Sequence, residues 1–270
     1  MGEATLMTWV NRYGDPQLPA MVLLHGFMGA KEDWQPMMAT MSQYFHCICI
    51  DLPGHGDNAL VLPHPGLFSA AEHIIQTVNN LGYSRFHLVG YSLGGRIALH
   101  IASLQPQALL SLTLESAHPG LLSDDEKQQR AINDNNWADK LLSQPFEQFL
   151  QLWYQQTVFS DLSHSQRQFL ISKRLRNYPK SLHACYQATS LSLQHDCRNV
   201  LNKLSCQSVF ITGEQDNKFQ QLAEGWQQTL RSVSLLKLVI ITGVGHNIHS
   251  MQPYIFSNTL LSILRDDPIQ

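Results

Sequence analysis

Six short apolar runs, each bounded by turn residues and separated from the next by helix-length chain, constrain the fold of this sequence more than any other feature. They occupy residues 21–24, 47–50, 86–89, 110–114, 209–212 and 238–242. Runs this short and this continuously apolar read as strands buried on both faces. The stretches 70–81, 94–103 and 222–230 between them are amphipathic and long enough for the crossovers that parallel strands require. The pattern predicts an α/β fold, a mostly parallel, doubly wound sheet with helices on both sides.

The alternation stops after Glu115 and resumes near Ser208. The chain between is rich in Gln, Trp, Leu and charged residues and poor in β-branched ones, which predicts a helical insertion with pieces at 123–135, 137–142, 145–155, 163–176 and 180–191. Residues 1–117 and 207–270 are then the core, and 118–206 are a cap that would act as a lid above the carboxyl ends of the strands. A chain of 270 residues without a Pro/Ser/Gly-rich linker suits this one large domain with its insertion.

Composition limits the partners. A net charge of −3 and 44% hydrophobic residues describe an ordinary globular chain, with no general reason to expect nucleic acid or an anionic membrane. No stretch approaches the roughly 20 apolar residues of a membrane helix. The start Met1-Gly2-Glu3-Ala4-Thr5 lacks a basic segment followed by an apolar one, so a cytoplasmic chain is expected. The five cysteines show no metal-type spacing and are expected to be free thiols, and the thirteen histidines are scattered, so no metal is expected. Oligomeric state leaves no readable signal.

The run at 86–89 leads into Gly90-Tyr91-Ser92-Leu93-Gly94, followed by the helix-compatible Gly95-Arg96-Ile97-Ala98. A strand, a sharp turn with serine at its apex and a helix form a nucleophile elbow, in which the glycines permit close packing. A serine hydroxyl needs a histidine to take its proton, and the histidine needs an acid to fix its tautomer. Asp216 follows the strand at 209–212 and His246 follows the next, so Ser92, Asp216 and His246 stand in the order of an α/β-hydrolase triad. Glu214 is the alternative acid. His25-Gly26-Phe27 follows the first strong strand, and the Phe27 and Leu93 backbone amides would form an oxyanion hole. Asp51 to Gly56 reads as turn chemistry at the pocket edge.

Arg96, four residues after Ser92, either reaches the pocket mouth or caps a neighbouring carboxylate. Arg130, Lys173, Arg174 and Arg176 are solvated charges or, if they face the serine, binders of a substrate carrying several carboxylates. The residues alone leave open an ester, thioester or C–C hydrolase, and a ligand-binding receptor on the same fold.

The segments Gly90-Tyr91-Ser92-Leu93-Gly94-Gly95-Arg96, His118-Pro119-Gly120-Leu121, Trp153-Tyr154-Gln155-Gln156, Thr189-Ser190-Leu191, Gly213-Glu214 with Asp216 and Lys218-Phe219, and Gly245-His246-Asn247 with His249 together resemble the 2-succinyl-6-hydroxy-2,4-cyclohexadiene-1-carboxylate synthase (MenH) family of the α/β-hydrolase fold. The resemblance covers essentially the whole chain. It implies a lyase of menaquinone biosynthesis that eliminates pyruvate from a tricarboxylate, 2-succinyl-5-enolpyruvyl-6-hydroxy-3-cyclohexene-1-carboxylate, without metal or organic cofactor. It also implies that Ser92, Asp216 and His246 form the triad, with Ser92 as general base, and that Tyr91, Arg96, Arg130, Trp153 and Arg174 line the substrate pocket. Arg176 has no such support.

Overall fold

A computed structural model of the chain describes residues 7–265, so the reading of Met1 to Thr5 lies outside the described residues. Seven strands form one sheet in the order β1-β3-β2-β4-β5-β6-β7, namely β1 (Val10–Tyr13), β2 (Ala20–Leu24), β3 (His46–Ile50), β4 (Phe86–Tyr91), β5 (Leu109–Glu115), β6 (Gln207–Gly213) and β7 (Lys237–Ile241). The six apolar runs are β2 to β7, all parallel. The sequence reading lacked β1, a four-residue edge strand antiparallel to β3. With Asn11 and Arg12 inside it and one side open, β1 carries no continuous apolar signal.

Successive strand residues feed opposite layers. Val22, Leu24, Ile48, Ile50 and Leu88 pack with α2 (Leu67–Asn80), α3 (Leu93–Leu104) and α8 (Asn217–Thr229). Met21, Leu23, Cys47, Cys49 and Val89 pack with α1 (Gln35–Met41) and α10 (Pro253–Arg265) on the other side. Both faces are covered, which is why these strands read as unbroken apolar runs. The five cysteines are free, Cys206 half-buried and the others buried. No helix among the described residues is long and apolar enough to cross a membrane.

Between β5 and β6 lie α4 (Asp124–Ser143), α5 (Phe146–Trp153), α6 (His164–Arg174) and α7 (Pro179–Ala188), with a core of their own that includes Leu141, Phe149, Leu170 and Leu182. Two expected pieces, 123–135 and 137–142, are the single helix α4. A reciprocal cap between Ser123 and Glu126 starts it, and its polar middle turns Asp134 inward to side-chain partners, so that carboxylate does not compete with the backbone. The sheet grows from β2 first towards β3 and then towards β4, placing a topological switch point, where ligands bind in such sheets, at the carboxyl ends of β2 and β4.

Candidate active site

Ser92 alone makes the turn between β4 and α3. Its backbone sits at φ +49° and ψ −108°, a conformation that costs an L-residue on the order of 1–3 kcal/mol. Its neighbours hold it there. A Cβ on Gly94 would collide with the carbonyl oxygens of Leu24 and His25, and one on Gly90 would lie 2.6 Å from the Gly94 oxygen. Ser92 N donates to the Glu115 carbonyl at 2.9 Å, and Arg96 N donates to the Ser92 carbonyl at 3.0 Å.

The loop after β2 is pressed against this elbow, since a Cβ on Gly26 would stand 2.6 Å from the Tyr91 ring and 3.5 Å from Ser92 Cβ. Phe27, Ser92 and Leu93 line one cavity. Leu93 opens α3, so its amide belongs to the free first turn of a helix, and neither it nor the Phe27 amide donates to any protein acceptor among the described residues. Two buried imidazoles brace the loop. His25 Nε2 accepts from Leu52 N and His55 Nε2 accepts from Met28 N, each at 3.0 Å. Burial lowers the His25 pKa to about 4 and that of His55 to about 3, so both rings are neutral, with Nδ1–H donated to the Gly26 and Pro53 carbonyls. The turn 51–56 thus holds up the loop after β2 through the His55 ring, and the His25 side chain, through Leu52 N, ties that loop to the one after β3.

Asp216 Oδ2 lies 2.7 Å from His246 Nδ1, and the Ser116 hydroxyl donates to the same oxygen at 3.2 Å. The alternative acid Glu214 instead accepts from Gly243 N at 2.9 Å, turned away from the histidine. Ser92 and His246 line a cavity of about 680 Å³. No hydrogen bond joins them among the described residues.

Around this centre the cavity is cationic. Arg96 donates to the Thr189 carbonyl at 2.6 Å and to Gln194 Oε1, and burial together with nearby Arg130 lowers its pKa to about 10, leaving it charged at neutral pH. Arg130 faces the same space and is held by Asp134 at 2.7 Å. Lys218, whose pKa burial and Arg130 also lower, lines the larger cavity beside Asp216. Trp153 stands over the site against Phe27, with ring centroids 5.4 Å apart, and Tyr186 lies 4.8 Å from the same ring.

Two residues expected in the pocket lie elsewhere. Arg174 is not among the cavity's lining residues. It is 3% exposed and gives both hydrogen bonds of one guanidinium nitrogen to Asp33, at 2.7 and 2.9 Å. Against the push of burial, Arg174 and Lys173 hold the Asp33 carboxyl well below the usual range. Tyr91 is packed behind the site, its ring 5.4 Å from His246 and 4.8 Å from His249. Arg176 pairs at the surface with Glu32. Reading the sequence missed Asp134 and Tyr186, and it quoted Lys218 in the resemblance without placing it in the cavity. The spacing of Arg130 and Asp134, one helical turn apart, was the available signal for Asp134; Tyr186 carries no motif.

Residues 19–252 match the family model described as the alpha/beta hydrolase fold. The chain is 36% identical over 255 residues to the 2-succinyl-6-hydroxy-2,4-cyclohexadiene-1-carboxylate synthase of Salmonella typhimurium, covering 93% of this chain and 96% of the relative. The synthase of Salmonella enteritidis PT4 matches at the same identity and coverage. Among solved structures, MenH from S. aureus superposes with a TM-score of 0.88 at 24% identity, over 96% of this chain and 99% of that one. A thermophilic esterase from Thermogutta terrifontis superposes at 0.79 with 21% identity, over 95% of this chain and 92% of the other. These two share the fold at identities too low to carry a reaction across. By sequence the chain belongs to the α/β-hydrolase fold family and, within it, to the 2-succinyl-6-hydroxy-2,4-cyclohexadiene-1-carboxylate synthases.

Proposed function

We propose that the chain is a carbon–oxygen lyase of menaquinone biosynthesis, eliminating pyruvate from 2-succinyl-5-enolpyruvyl-6-hydroxy-3-cyclohexene-1-carboxylate to leave the 2,4-diene. The observation that carries this reading is the pairing of an elbow serine and an acid-held histidine with two cavities that share Ser92 and Arg130, one lined also by Arg96 and the other by Lys218. An ester of a fatty acid has no use for such cations, whereas a tricarboxylate needs them. The named activity of the Salmonella relatives agrees with it.

In this mechanism His246, held by Asp216, takes the Ser92 proton. The serine oxygen then removes the hydrogen from the ring carbon beside the succinyl ketone. The electron pair moves through the ring alkene and breaks the C–O bond to enolpyruvate, which takes up the His246 proton and becomes pyruvate. Charge on the ketone oxygen during the transfer is met by the Phe27 and Leu93 amides, so the hole stabilises an enolate where a hydrolase would stabilise a tetrahedral adduct. Residues 118–206 serve as a cap, supplying Arg130 and Trp153 from above, while Arg96 rises from α3 below.

The test is to incubate the enzyme with the cyclohexene substrate and, separately, with a chromogenic short-chain ester. Diene and pyruvate forming in equal amounts, with the ester spared, are the expected outcome. Ester turnover without pyruvate release would make the chain a hydrolase.

A further inference from the structure

Glu115, the last residue of β5, carries a side chain that is 0% exposed. A carboxylate removed from water needs donors to replace it. Among the described residues, Glu115 takes all of its side-chain donors from the segment just after His246: Ile248 N at 2.7 Å and His249 N at 3.1 Å on Oε1, and His249 Nδ1 at 2.7 Å on Oε2. Its carbonyl accepts the Ser92 amide, and the hydroxyl of its neighbour Ser116 donates to Asp216. The dipeptide 115–116 therefore touches the segments that present serine, histidine and aspartate. Trp34 stacks on the His249 ring at 4.2 Å, and Tyr91 packs edge-on to it at 4.8 Å, so the Glu115–His249 pair also backs the tyrosine beside His246.

We infer that Glu115 is a positioning residue that sets the separation of His246 and Ser92 while touching neither reacting side chain. His246 sits on a loop whose continuation, α9 (Ile248–Met251), is a single turn, too short to hold a fixed place by its own hydrogen bonds. Glu115 fixes that turn from the opposite strand and carries the nucleophile's amide on its own backbone. A displacement on the order of 1 Å at a reacting group can remove as much as 10²-fold in rate, which makes this link matter to the reaction.

The kinetic test rests on the elimination reading, and a spectroscopic test does not. Glu115→Gln keeps one acceptor oxygen and the side-chain shape, while Glu115→Asp keeps the charge and withdraws it by one methylene. Each should lower kcat roughly tenfold to a hundredfold with KM within about twofold. In a His246→Ala background Glu115→Gln should change the residual rate less than about twofold, because its effect runs through that histidine. Undiminished kcat in either folded variant, a full further loss in the His246→Ala background, or failure of both variants to fold would overturn the proposal. Without any substrate, the His246 Nδ1 proton resonance should move or broaden in Glu115→Gln. An unchanged resonance would overturn the positioning role, whereas a wild-type enzyme that releases no pyruvate would overturn the elimination reading alone.

Discussion

Ser92 is held on a strained backbone, and the Phe27 and Leu93 amides beside it have no protein acceptor among the described residues; under the proposed mechanism they meet the charge that develops on an oxygen lying between them. Under the elimination mechanism the serine oxygen is the base, so Ser92→Ala should reduce kcat by about 10³-fold or more while leaving product affinity, measured by calorimetry, near the wild-type value. The cations make the opposite prediction. Arg96→Ala and Arg130→Ala should each reduce kcat/KM by the equivalent of about 1.5–3 kcal/mol, the worth of a hydrogen bond to a charged group, and Lys218→Ala should act in the same direction by less because that side chain is more exposed. Steady-state kinetics on the tricarboxylate would separate the two behaviours, and undiminished kcat/KM in all three cation variants would dismiss the polyanion pocket. Arg130 is preset by Asp134, which also receives hydrogen bonds from Tyr186 at 2.9 Å and Ser190 at 2.6 Å. Asp134 keeps the arginine extended and offsets part of the positive charge that Arg96 and Arg130 bring to one cavity.

At the scale of elements, the loops after β2 and β3 are joined by neutral histidines, and this gives stability a defined pH dependence. His25 and His55 titrate near 6.5 in the unfolded chain and at about 4 and about 3 when folded. Between those values the unfolded chain binds more protons, so folding stability falls as pH drops below about 6.5 and continues to fall towards pH 3. Melting temperature recorded from pH 7.5 down to pH 4 should fall less steeply in His55→Gln, whose amide can still accept from Met28 N, than in the wild type. Parallel slopes would remove His55 from the account. The alternation of apolar runs made the parallel strands legible because both faces of the sheet are covered, and the turn at Ser92 and the pairing of Asp216 with His246 were legible because each group follows its own strand. The bracing role of His55 was not, since it depends on a ring nitrogen meeting an amide far away in sequence. Nor was the unity of α4, whose polar middle resembles a loop until Asp134 finds its partners in α7 and beyond.

Across the whole molecule, the helical segment between β5 and β6 is tied to the sheet by charges of very different burial. Arg174 and Asp33 are 3% and 2% exposed, whereas the Arg176–Glu32 pair lies at the surface. Asn177 adds a hydrogen bond to the Met28 carbonyl at 2.9 Å, so the link between α6 and α7 is fastened onto the loop after β2. The placement of Arg174 could not be foreseen because its partner, Asp33, lies in an unremarkable turn near the start of the chain, and only the fold brings them together. Asp33→Asn leaves a buried guanidinium without its counter-charge and should cost about 3–5 kcal/mol in urea unfolding. Arg176→Ala should cost no more than about 1 kcal/mol, as expected for an exposed pair. Replacing both buried partners, as in Asp33→Leu with Arg174→Met, should recover much of the loss, because apolar residues of similar size remove the desolvation penalty along with the attraction. If Asp33→Asn proved no more destabilising than Arg176→Ala, the buried pair would not be what fastens the helical segment. If the double variant were stable yet poorly active, the pair would be serving the placement of the helical segment over Ser92 more than the strength of the fold.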